Sequence, residues 1–78
     1  MKPKFLLYGT AGCHLCEEAS TLLTQLGLEW EDIEIAADEA LLELYGTSIP
    51  VLKRTDDKRI LRWPFNLSDV QQLIQRNP

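Results

Sequence analysis

Apolar residues along this chain change their spacing several times, and each change marks a predicted element. Phe5-Leu6-Leu7-Tyr8 is a short continuous apolar run ended by Gly9, the pattern of a strand buried on both faces. The spacing then becomes helical, with Leu15, Ala19, Leu22, Leu23 and Leu26 on one side and Glu17, Glu18, Thr21, Thr24 and Gln25 opposite. That is an amphipathic helix, and Gly27 is placed to cap its end. Trp30-Glu31-Asp32-Ile33-Glu34-Ile35 alternates in part and reads as a strand at a sheet edge. Asp38 can cap a short helix carrying Leu41, Leu42, Leu44 and Tyr45, which Gly46 stops. Pro50-Val51-Leu52 begins a third strand. Thr55-Asp56-Asp57-Lys58 has the composition of a turn, and Arg59 to Trp63 returns as a fourth strand. Leu67, Val70, Leu73 and Ile74 mark a last helix, with Asn66 or Ser68 as its cap; Ser68 and Gln71 fit a capping box.

The predicted order is therefore β-α-β-α-β-β-α, an α/β fold. A strand–helix–strand unit needs parallel strands joined by a crossover, whereas the hairpin at the end is antiparallel. The compact solution is a four-stranded mixed sheet, strand order 2-1-3-4, with helices on both faces. Residues 1–78 are expected to form a single domain, as 78 residues suffice for one core. The chain has no repeat, linker or low-complexity stretch.

Charge changes the picture only locally. The net charge of −4 argues against a general nucleic-acid binder, which must neutralise phosphates. No apolar run is long enough to cross a membrane. Met1-Lys2-Pro3-Lys4 has the charge of a secretory n-region, but Phe5 to Tyr8 is too short an apolar core to follow it. A cytoplasmic protein is expected. Between Glu17 and Glu43 the chain has acidic residues and no Lys or Arg, while Lys53 to Arg62 is mainly basic. Such segregation fits solvated faces and charged edge strands that resist pairing with other sheets, or a docking surface for a partner.

The candidate chemistry lies in Gly9-Thr10-Ala11-Gly12-Cys13-His14-Leu15-Cys16, which holds both cysteines of the chain. A closed zinc site takes four ligands, and two Cys with one His fall short, so no metal is expected. As a staple, a loop of four residues stabilises by only about 2 kcal/mol before strain. A reactive pair uses the position better. Cys13 falls where the loop after the first strand becomes a helix, and the unpaired N–H groups there favour a thiolate. Cys16 lies one turn on, with β-carbons roughly 5–6 Å apart, close enough for a disulfide after small movement. Cys13 is then the exposed nucleophile and Cys16 the half-buried resolving thiol. His14 either tunes the Cys13 sulfur by charge or hydrogen bond, or is simply an exposed helix residue. Glu17 and Glu18 oppose a second anion nearby.

This βαβ start with Cys-x-x-Cys at the strand–helix junction resembles the thioredoxin superfamily, and its short N-terminus resembles the glutaredoxin branch. "CHLCEEA", "YGTSIPVL" and "LRWPFN" together resemble a group of small, mostly bacterial glutaredoxin-like proteins, over essentially the whole chain. The resemblance implies a thioredoxin/glutaredoxin-like fold, with Cys13 as nucleophile and Cys16 as resolving cysteine. It also implies that the Ile49–Pro50 bond is cis and that the Ile49 backbone pairs with a substrate peptide or glutathione. Two departures bear on the ligand. Thr10 stands where glutaredoxins usually carry Lys. Trp63-Pro64-Phe65-Asn66 stands where a Gly-Gly pair and an acidic residue usually grip glutathione. Trp63 either fills substrate space or, with Phe65, covers the core.

The expected activity is dithiol–disulfide exchange with protein or small-molecule disulfides, through a redox-active Cys13–Cys16 disulfide and no bound cofactor. The electron donor is either a thioredoxin-reductase-type system or glutathione, with glutathione expected to bind weakly, and a monomer is expected. The alternatives are a glutathione-dependent glutaredoxin, and a non-catalytic module that senses redox state or shares an iron–sulfur cluster.

Overall fold

The structure, a computed structural model, describes residues 4–75; the Met1-Lys2-Pro3 start weighed above as a signal n-region lies outside them. Seven elements follow in the expected order: β1 (Phe5–Gly9), α1 (His14–Gln25), β2 (Glu31–Glu34), α2 (Glu39–Tyr45), β3 (Val51–Arg54), β4 (Ile60–Arg62) and α3 (Leu67–Ile74). The strands form one sheet in the order β2-β1-β3-β4. β1 runs parallel to β2 and antiparallel to β3, and β3 and β4 form the hairpin. β1 is central, which is why its apolar run is unbroken.

Alternation along β1 and β3 divides the core in two. Phe5 and Leu7 of β1 and Leu52 of β3 face α1 and α3, where they pack with Ala19, Leu23, Phe65, Val70 and Leu73. Tyr8 and Val51 point the other way, onto Tyr45 of α2 and Ile35. Adjacent residues of one strand thus serve opposite faces. Helices cover both sides of the sheet, α1 and α3 on one and α2 on the other.

The helix ends show how the chain is steered. Gly27 adopts φ +68° after α1, and its N–H donates to Thr24 O (3.0 Å) while that of Leu28 donates to Leu23 O (3.1 Å). This two-bond cap turns Leu28 back against the core. At α3 the capping box is Asn66 with Asp69, not Ser68 with Gln71. The helix begins at Leu67, so Ser68 is already inside it, whereas Asn66 has the extended backbone a cap needs. Arg54, at the end of β3, is buried. Its guanidinium donates to Leu73 O (2.6 Å) and to Asp56 Oδ1 (2.8 Å), binding the end of α3 to the hairpin turn.

Four expected core leucines lie largely outside. Leu15, Leu42, Leu44 and Leu67 are 43%, 43%, 62% and 41% exposed. α2 is only seven residues long, so a single stripe, Leu41 and Tyr45, can meet the sheet. Leu15 lies a turn before the buried stripe of Ala19 and Leu23, where β1 has already ended. No helix among the described residues is long and apolar enough to cross a membrane.

This division of burial has a measurable consequence. Leu23→Ala should lower unfolding stability by roughly 3 kcal/mol, as for a fully buried leucine, while Leu44→Ala should change it by less than about 0.5 kcal/mol. Urea unfolding of the two variants tests this, and equal losses would contradict the burial pattern.

Candidate active site

Cys13 is the N-cap of α1, with extended backbone (φ −83°, ψ 113°). Its sulfur accepts the N–H of Cys16 at 3.1 Å, and its carbonyl accepts that of Glu17 at 3.2 Å. The side chain therefore sits where the helix presents unpaired donors. Cys13 and Cys16 are joined as a disulfide, with α-carbons 5.2 Å apart. Both cysteines are half-buried, so Cys13 is more sheltered than its sequence position suggests. The loop before it makes a tight turn, in which Cys13 N–H donates to Thr10 O at 3.3 Å.

That loop is held by a residue that sequence reasoning missed. One carboxylate oxygen of Glu34, in β2, accepts the Ala11 N–H at 2.9 Å, and the other accepts that of Ala36 at 2.9 Å. The Thr10 hydroxyl bonds to the same carboxylate. Glu34 thus clasps the loop before Cys13 to the edge strand. The Ala36 amide first, then the Thr10 hydroxyl and the Ala11 amide, hold its carboxyl below the usual value.

Gly9 is the second residue the sequence undersold. A β-carbon there would lie 2.8 Å from the Cys16 sulfur and 3.3 Å from its β-carbon. Any side chain at this position would push Cys16 off the sheet, an overpacking cost of about 1–3 kcal/mol.

The other expected site residues divide. Thr10 belongs to the site, through Glu34 and Cys13. Pro50 is buried; continuing the Tyr8–Val51 register by one residue sets it beside Gly9. The Ile49–Pro50 and Trp63–Pro64 peptide bonds are both cis. Ile49 is half-buried against the α2-side core, and its N–H is already donated to Tyr45 O at 3.1 Å, which leaves its carbonyl as the group it can offer. Trp63 packs edge-on to Phe65, ring centroids 5.0 Å apart, against the α1-side core. Its N–H donates to Pro50 O at 3.1 Å. His14 is exposed at the first residue of α1.

Next to the disulfide an open groove of about 340 Å³ runs between α1 and β2. Glu17 and Ser20 form its wall, Asp32 and Glu34 its far side, and the two cysteines close one end. The arrangement provides a sulfur at a helix start, a second sulfur in bonding reach and an open approach. It has the parts for thiol–disulfide exchange.

Comparison with known proteins identifies the family and the fold. The family model described as "Glutaredoxin-like domain (DUF836)" matches residues 4–75. Among solved structures, target protein XcR50 from X. campestris is 32% identical, with a TM-score of 0.86 over 95% of this chain and 99% of that one. Protein Ne2328 from Nitrosomonas europaea is 35% identical, with a TM-score of 0.78 over 95% and 93% of the two chains. A glutaredoxin from Archaeoglobus fulgidus, 23% identical, shares the fold at a TM-score of 0.67 over 94% of this chain and 87% of that one. No curated protein matches the chain.

The Glu34 clasp predicts a pH dependence. A carboxyl whose pKa is depressed on folding stabilises the fold above its ordinary range and ceases to as pH falls through its folded pKa. NMR should find the Glu34 carboxyl titrating below 4.5, with the Ala11 and Ala36 amide signals moving at the same midpoint. A midpoint at or above that value, without amide response, would remove the clasp.

Proposed function

The chain belongs to the glutaredoxin-like domain (DUF836) family, and from that premise we propose that it is a dithiol–disulfide oxidoreductase working through Cys13 and Cys16. The observation that carries this reading is the Cys13 sulfur at the N-cap of α1, accepting the Cys16 N–H at 3.1 Å with the Cys16 sulfur in bonding reach. A donor aimed at that sulfur, together with the positive end of the helix, favours the thiolate once the pair is reduced.

In the reduced protein the Cys13 thiolate attacks one sulfur of a substrate disulfide. The substrate S–S bond breaks, a mixed disulfide with Cys13 forms, and the first substrate sulfur leaves as a thiolate. Cys16 then attacks the Cys13 sulfur, closes the Cys13–Cys16 bond and releases the second substrate thiolate. Substrate gains two electrons, the protein loses two, and the two protons of the dithiol end on the substrate thiols. A dithiol reductant, such as a thioredoxin-reductase system in a reducing cytoplasm, restores the pair.

Glutathione is a poor fit as that reductant. A glutathione carboxylate needs free N–H groups near the start of α3. Pro64 has none, and Trp63 N–H is given to Pro50 O. The N–H groups of Asn66 and Asp69 are taken by each other's side chains at 3.0 and 2.9 Å. The Asp69 carboxylate itself lies at the place where a ligand's anion would seek a donor. Thr10 supplies no cation. A dissociation constant in the millimolar range, about −4 kcal/mol, is expected.

The roles of the two sulfurs are separable. Cys13→Ser should abolish reduction of disulfides, whereas Cys16→Ser should form the mixed disulfide and fail to release it, as mass spectrometry would detect. The wild-type protein should turn over with a reductase system and at most slowly with glutathione. Alkylation of Cys13 should have a pH midpoint below the reference value of about 8.5. Faster alkylation at Cys16 than at Cys13 would reverse the assignment, and brisk glutathione turnover would favour a glutathione-dependent glutaredoxin.

A further inference from the structure

Resting on the reading of Cys13 and Cys16 as an exchange pair, we propose that the substrates are polypeptide disulfides flanked by Lys or Arg, with the positive side chains seated in the groove between α1 and β2. The groove follows from the register. Leu7 of β1 lies beside Asp32 of β2, and Gly9 beside Glu34. Neighbours in register share a face, so both carboxylates emerge on the side that α1 occupies. α1 stands over β1, with Cys16 against Gly9 and Ala19 and Leu23 packed with Phe5 and Leu7. The part of that face belonging to β2 is left open, and Glu17 overlooks it from the helix.

Three carboxylates, Glu17, Asp32 and Glu34, therefore line a passage that ends at the disulfide, and among the described residues no Lys, Arg or His lines it with them. Glu34 uses its oxygens on backbone amides but keeps its charge. Asp32 accepts the Trp30 indole N–H at 2.9 Å, which orients it without neutralising it. The three are not gathered as metal ligands: among the described residues no group of three His, Cys, Asp or Glu side chains could hold an ion. Charge spread along a groove suits an elongated cationic ligand. Protection of an edge strand accounts for charge on β2, but Lys would serve that purpose as well. It does not explain why every ionisable side chain lining the passage to the sulfurs is acidic.

The chemistry gives the preference a kinetic effect. Each attack expels a thiolate, and an acidic groove opposes a new anion unless the substrate brings a cation to pair with the carboxylates. A neighbouring cation also lowers the pKa of the leaving thiol and so speeds its departure. Opposite charge along the approach raises the encounter rate, an effect that salt weakens. A polypeptide suits the place because β2 is the outer strand of the sheet, hydrogen-bonded among the described residues to β1 alone, and an extended chain can lie along it.

The test uses the reduced protein and three disulfide-bonded peptides of one sequence, with Lys, Gln or Glu flanking each cysteine. Single-turnover rates are divided by the rate of the same peptide with dithiothreitol, which removes intrinsic differences between the disulfides. The normalised rate for the Lys peptide should exceed that for the Glu peptide at least about tenfold at low salt, shrinking to within about twofold near 0.5 M salt. In the double variant Glu17→Gln with Asp32→Asn, where Asn keeps an acceptor for the Trp30 indole, the ratio should fall about threefold or more at low salt. Failure to reduce even the Gln peptide would overturn the exchange reading itself. Reduction of all three peptides at equal normalised rates, or fastest reduction of the Glu peptide, would overturn the charge preference alone. A full preference surviving in the double variant would show that the groove is not its source.

Discussion

The closest approach in the site is that of α1 to the end of β1, and the site depends on it. Cys16 rests on Gly9 with no space for a β-carbon between them. Because the strand offers only backbone there, the first turn of the helix descends onto the sheet, and Ala19 and Leu23 continue the contact with no exposed surface. Cys13 is thereby fixed at the rim, where the helix begins and the Cys16 N–H turns to its sulfur. Cys16 is held down by packing against Gly9, while Cys13, equally half-buried, is placed by the start of the helix.

The two flanks of α1 are finished differently. On the α3 side the structure is closed: Val70 and Leu73 fill the space between helices and sheet, Asn66 and Asp69 satisfy each other at the start of α3, and Arg54 holds its end. Polar groups there are spent internally. On the β2 side the sheet stops one strand beyond β1, and its acidic residues remain in contact with solvent. A ligand can reach the sulfurs along this side without displacing core.

Much of this was legible in the residues. The switch from a continuous apolar run to helical spacing identifies β1 and α1, and partial alternation marks β2 as the edge strand. The turn Thr55 to Lys58 makes the last two strands a hairpin, and strand order follows from those facts together. The cysteine pair was legible because a helix start is a local property. Glu34 was not, since its contact with Ala11 spans 23 positions, and an acid in an edge strand looks like any other solvent-facing residue. Gly9 read only as the end of a strand, because the sulfur that requires it belongs to another element. Leu42 and Leu44 show the converse limit. Residue type says that a leucine prefers burial, but a two-turn helix has room against the sheet for one stripe only.

β2 also separates two kinds of heritable change. Ile33 faces the core of the α2 side, so its replacement is screened by folding, whereas Asp32 and, across the groove, Glu17 are surface positions with little of the core attached to them. Glu34 stands between these cases, exposed yet tied to the loop before Cys13. Over the history of a lineage, the charge at 17 and 32 can drift while the scaffold persists. Under the proposed groove preference, related chains that diverge in what they act on should differ at those two positions before they differ at Gly9 or Glu34.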